Sequence, residues 1–154
     1  MSAAERHRPA VEQARGQFRA RLAQWSRDDL VFVDESGVRT NMTGLYGRAP
    51  KGIRVPEAVP HGHWKVLTIL GAVTSQGVQA SVTIDAATDS DIFLAFLRHA
   101  LAPTLRPGPV IVMDNLPAHK HQQVRTHLRR HGCRLLYLPP YSPDLNPIEP
   151  AWSK

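Results

Sequence analysis

Apolar positions fall along this chain in two rhythms. LVFVDE over 30–35 and PVIVMD over 109–114 are compact apolar runs, each closed by acid. Such runs predict strands buried in a sheet. WKVLTILGAVT over 64–74 predicts another strand, Ser75-Gln76-Gly77 a tight turn and VQASVTI over 78–84 the return strand of a hairpin. CRLLYL over 133–138 predicts the last strand. Helical spacing recurs elsewhere. Phe18, Leu22 and Trp25 predict a helix from about residue 11 to 25. Thr88, Asp89, Ser90 and Asp91 are N-cap types ahead of IFLAFLRHAL, and Pro103 with Pro107-Gly108 ends that helix. Residues 119–131 predict a polar helix with Val124 and Leu128 facing inward and Gly132 as its stop. PPYSPDLNP leads into a final helix starting near 147. Residues 36–63, dense in Gly and Pro, read as a loop with room for one short strand.

The order β, loop, β, β, α, β, α, β, α predicts an α/β fold. Its sheet is mixed and five-stranded, with helices on both faces. Residues 1–29 read as an N-terminal helical linker or packing arm, and 30–154 as the main domain. A length of 154 residues suits one domain. Apolar residues at 42% and charged residues at 21% are ordinary for a globular protein. No apolar run approaches the ~20 residues of a membrane helix. The opening MSAAERHRPAVEQARGQ lacks the apolar core of a secretory signal. Cys133 is the single cysteine, which excludes an intramolecular disulfide framework and a cysteine-based zinc site and suits a reducing cytosol.

Charge narrows the partner. Nineteen Lys and Arg against thirteen Asp and Glu give a net charge of +6, which points to a polyanion, nucleic acid foremost. The basic residues gather in the loop after Asp34 and over 115–134, a stretch with no acid.

The acids are placed where chemistry is expected. Asp34 closes the first strand, Asp114 closes the fourth, and Glu149 stands at the start of the last helix. Sites in open α/β sheets gather at the carboxyl ends of strands. If the first and fourth strands are parallel neighbours, Asp34 and Asp114 end side by side, and a helix packed across them can add Glu149. Three carboxylates without Cys or His partners suit Mg²⁺ or Mn²⁺. Two such ions can activate an attacking oxygen and stabilise a leaving oxygen at phosphorus. Glu35 adjoins Asp34 but points to the opposite face of a strand. Asn146-Pro147-Ile148-Glu149 also has the shape of a capping box, with Pro150 as an alternative helix start. Either way the helix N-terminus favours an ionised Glu149.

At this point the chain resembles the catalytic domain of bacterial insertion-sequence transposases related to the mariner superfamily. The resemblance rests on VFVDESG (31–37), LYGRAPKG (45–52), VPHGHWK (59–65), VIVMDN (110–115) with His119-Lys120, and LPPYSPDLNPIEPAW (138–152). Thirty-four residues separate Asp114 from Glu149, the interval usual in that group. The resemblance covers roughly residues 28–154. It implies an RNase H-like fold, cut-and-paste movement of DNA into TA dinucleotides, and Asp34, Asp114 and Glu149 as the metal-binding catalytic triad. It implies terminal inverted repeats and target DNA as partners, a homodimer in the synaptic complex, and a bacterial cytoplasm as the setting. Arg48, Lys51, Arg54, Lys65, His119 and Lys120 are the expected DNA contacts. His119 has two other readings, as a residue orienting an acid and as a surface residue at a helix start.

The family's N-terminal helix-turn-helix modules have no counterpart in this sequence, which predicts a separately encoded module. Its last helix also continues beyond the position of Lys154. Two rival readings follow: a truncated remnant that binds DNA without cutting it, and another RNase H-like nuclease without strand transfer. His61-x-His63 and His119-x-His121 lack the i, i+4 spacing and the cysteines of a zinc site. No P-loop, zinc-protease or serine-hydrolase motif occurs.

Overall fold

The computed structural model describes residues 8–39, 50–52 and 65–152. Helix α1 (Pro9–Leu22) leads into strand β1 (Leu30–Arg39), then the hairpin β2 (Val66–Thr74) and β3 (Gly77–Ile84). Helix α2 (Ser90–Phe96), β4 (Val110–Met113), α3 (Gln122–Arg130), β5 (Arg134–Tyr137) and α4 (Glu149–Trp152) complete the order. The sheet runs β3-β2-β1-β4-β5. β1 is antiparallel to β2 and parallel to β4, and β4 is parallel to β5. This is the expected mixed five-stranded sheet.

Alternation along the strands divides the core in two. Val31, Val33, Ile111 and Met113 face α2 and α3, packing with Phe93, Leu97, Val124 and Leu128. Leu30, Phe32, Val110 and Val112 face the other way and pack with Phe18 of α1 and with Leu138. Helices therefore cover both faces.

Local chemistry sets the elements' ends. The Asp89 carboxylate accepts from the backbone N–H of Asp91 at 2.9 Å and of Ile92 at 2.8 Å, which caps α2. The helix continues as a wider π-type turn over Leu97–Leu101. Gly132, at φ +70°, ends α3 in the left-handed conformation open to glycine.

Three expectations are revised. β1 runs to Arg39 instead of ending at residue 35, because Phe32 through Arg39 pair continuously with Val73 through Val66 of β2. Sheet pairing here outweighs the weak strand preference of Gly37. The helix expected over 119–131 is two pieces, a short 3₁₀ turn at Ala118–Lys120 and α3 from Gln122. α1 ends at Leu22, and Trp25 lies beyond it under the Arg134 guanidinium, 4.4 Å from the ring centroid.

α1 is bound to more than the sheet. Arg15, 6% exposed, makes a bidentate pair with Asp144 at 3.0 and 2.7 Å. Asp144 lies in the loop that delivers α4. Asp144→Ala leaves the buried guanidinium without its partner, and the expected loss is about 2–4 kcal/mol of stability, read by urea unfolding. A loss under about 0.5 kcal/mol would class the pair with ordinary surface ion pairs.

Candidate active site

The parallel pairing of β1 with β4 runs from Leu30↔Val110 to Phe32↔Val112. Two residues further along each chain stand Asp34 and Asp114. The alternation that turns Leu30 and Phe32 toward α1 turns Asp34 the same way. α4 approaches across this face, with Glu149 as its first residue. Asn146 shapes the approach: its side-chain oxygen accepts from Ile148 N–H at 3.4 Å and its carbonyl from Glu149 N–H at 3.3 Å. Glu149 thus sits at the first helical position, neither at the third position of a capping box nor ahead of a start at Pro150. Asp34, Asp114 and Glu149 line one cleft of about 340 Å³, with Asn115, Leu116, the 138–143 loop and Asn146. Among the described residues no three His, Cys, Asp or Glu side chains are close enough to form a ready-made metal cage.

The two aspartates are held differently. Asp34 is 7% exposed, and its Oδ2 accepts from the Trp152 indole N–H at 3.2 Å. Burial pushes its carboxyl up to about 6; bonds from Trp152 and the Glu35 backbone oppose this, while the charges of Glu149 and Asp114 add to it. Asp114 is half-exposed and its carboxyl is lowered. Burial pushes it upward, but hydrogen bonds from His119 and the Leu116 N–H, with the charges of His119 and Lys120, more than offset that. His119 Nδ1 lies 2.5 Å from Asp114 Oδ1, and Leu116 N–H donates to the same oxygen at 3.0 Å.

His119 was expected to touch DNA. The structure buries it completely, against Phe93 with ring centroids 4.0 Å apart, so no DNA contact is open to it. Its Nε2 is buried without a partner. Lys120 is exposed, near enough to Asp114 to act on it, with its ammonium 6.0 Å from the Tyr137 ring centroid. Lys65 is exposed and paired with Asp85 at 2.5 Å. It lies well along β2 from Gly71, the register partner of Asp34, roughly 20 Å at strand spacing. Lys51 is exposed in a turn. Arg48, Arg54, His61 and His63 lie outside the described residues.

Sequence reasoning missed Trp152, although one signal was available. In a helix beginning at Glu149, Trp152 falls one turn later on the same face.

The fold and its acids lead to the DDE endonucleases. Residues 29–154 match the DDE superfamily endonuclease profile, and the chain belongs to that family. It is 32% identical over 144 residues to the transposase of the transposable element Tcb2 of Caenorhabditis briggsae, covering 83% of this chain and 52% of that one. The fold is that of the Mos1 transposase, an RNase H-like one. It superposes on the Mos1 strand transfer complex with a TM-score of 0.74 at 20% identity, over 96% of this chain and 46% of that one. It superposes on the mariner Mos1 paired-end complex with Mg with a TM-score of 0.70 at 21% identity, over 89% and 44%. The chain spans about half the length of the curated relative and of these structures.

Asp34 gives a pH signature. Its carboxyl is raised in the folded state, so the fold holds that proton more tightly than the unfolded chain. The ionised form therefore opposes folding fully above about pH 6 and not at all below the ordinary carboxylate range. Metal-free Asp34→Asn is expected to be more stable than the parent at pH 7.5, by up to about 3 kcal/mol. The gain should fade as pH falls from 6 toward 4. Thermal unfolding across that range measures it, and a pH-independent difference would contradict the burial argument.

Proposed function

We propose that this chain is the catalytic part of a cut-and-paste DNA transposase, with Asp34, Asp114 and Glu149 as its acidic triad. The observation that carries the reading is the opening of all three carboxylates onto one cleft at the ends of adjacent parallel strands. The donor set fits a hard divalent cation. The polar side chains lining the cleft are the three carboxylates, Asn115, Asn146, Ser142 and Tyr141, with no Cys or His among them, and His119 turns its Nδ1 onto Asp114. Burial chiefly raises the Asp34 carboxyl, with smaller additions from the charges of Glu149 and Asp114, and a cation would offset both. The acids would hold Mg²⁺ or Mn²⁺, two ions in the full reading, which when bound polarise a phosphodiester and activate the attacking oxygen. The chain's own residues supply orientation. His119 and the Leu116 N–H fix one oxygen of Asp114, and the Trp152 N–H fixes one of Asp34.

DNA is the substrate this reading assigns, as terminal inverted repeats and a TA target. Lys51 and Lys120, with Arg48, Arg54 and Lys65, are the proposed contacts to its backbone. A homodimer would pair two element ends, and a helix-turn-helix module would supply repeat recognition. Residues 30–154 are the proposed catalytic domain, and 1–29 a packing arm. The insertion-sequence origin and cytoplasmic setting rest on the sequence motifs; the relative named above is from a nematode. Among the described residues no helix is long and apolar enough to cross a membrane.

The test is nicking of DNA carrying the element's own ends. Nicking should need Mg²⁺ or Mn²⁺, and Asp114→Asn should lower its rate by about 100-fold or more, since several kcal/mol of transition-state stabilisation is lost. An Asp114→Asn protein that nicks at the parent rate would overturn the assignment. Hydrolysis without joining of 3′ ends would make the protein a nuclease of the same fold.

A further inference from the structure

Gly71 lies inside β2, opposite Asp34. A Cβ placed on it would meet Trp152 Cη2 at 2.6 Å, Trp152 Cζ2 at 3.2 Å and Ile148 Cδ1 at 3.3 Å. The backbone at Gly71 is ordinary for a strand, so glycine serves here by its missing side chain, not by its conformational freedom. Two side chains at the C-terminal end of the sequence therefore rest on the bare backbone of one residue. One of them, Trp152, reaches past Gly71 to donate its indole N–H to Asp34. α4 carries Glu149 at its start and Trp152 at its end. The ring's seat thus bears on both acids: on Asp34 by a hydrogen bond and on Glu149 through the short helix.

We propose that Trp152, seated on Gly71, is a positioning residue that sets the Asp34 carboxylate and the α4 backbone together. The inference rests on the triad reading of Asp34 and Glu149. Indole suits the task because it joins a broad apolar ring, with only two side-chain torsions, to a single N–H donor. Its bond fixes Oδ2 of Asp34. A phenyl ring keeps most of the packing and loses the donor. A side chain at position 71 keeps the donor and loses the seat. The two halves of the device are separable.

The 154-residue chain is titrated with Mn²⁺ alone by calorimetry, and the indole ¹H–¹⁵N resonance of Trp152 is followed without metal. Trp152→Phe is expected to leave the unfolding temperature within a few degrees of the parent and to weaken Mn²⁺ binding about ten-fold, the lower range for losing a residue that orients a ligand. Gly71→Ala should shift the indole resonance and weaken Mn²⁺ further. Gly71→Ala combined with Trp152→Phe should return to the Trp152→Phe affinity, because the shorter ring leaves room for the new methyl. Parent-like Mn²⁺ affinity in Trp152→Phe overturns the proposal, and so does an unmoved indole resonance in a folded Gly71→Ala. Asp34→Asn separates the two levels. Parent-like Mn²⁺ affinity in Asp34→Asn overturns the triad reading itself. Loss there, with affinity retained in Trp152→Phe, overturns the positioning role alone.

Discussion

The parallel contact of β1 with β4 is the constraint on which the site depends. Three register pairs define it, each flanked by core on both faces. Strand side chains alternate, so a slip of one residue would turn Asp34 into the apolar layer beneath α2 and α3 and turn Val33 out. The apolar residues that make the sheet stable also decide which face carries the acid. A carboxylate in that position is only partly solvated, and the fold compensates by directing the Trp152 N–H and a backbone N–H to it.

The two strand-end aspartates illustrate how neighbours divide the behaviour of identical side chains. Asp114 receives an imidazole and an amide on one oxygen and remains firmly anionic. Asp34 receives an indole and the Glu35 backbone N–H, but it sits deeper and faces two like charges, and its carboxyl rises toward neutrality. Such separation of paired carboxyl groups is a pattern of catalytic sites. It arises here from the opposite sides by which the helices approach. The His119 turn comes from the α2 and α3 layer, and α4 comes from the α1 layer.

Much of this was legible in the sequence, for identifiable reasons. Apolar runs ending in Asp34 and Asp114 give strands and acids together, because a buried parallel strand must be apolar and its carboxyl end opens to a cleft. Asp89 and Gly132 announce helix ends through their own local chemistry. The remainder depends on partners far apart in sequence. The extension of β1 through Gly37 comes from β2, not from local preference. The burial of His119 comes from Phe93. The Trp152 bond joins residues 118 positions apart, and no periodicity encodes it.

The Arg15–Asp144 pair carries a consequence for what counts as one object. The family match begins at residue 29, after α1. Yet Phe18 fills the core on the face that carries Asp34, and Arg15 grips the loop that delivers Glu149. The segment that matches the family and the segment packed around this face therefore differ by a helix. Amide protection would rise and fall in α1 together with the loop that ends at the third acid, so the chain's early residues share the thermodynamic fate of its last ones.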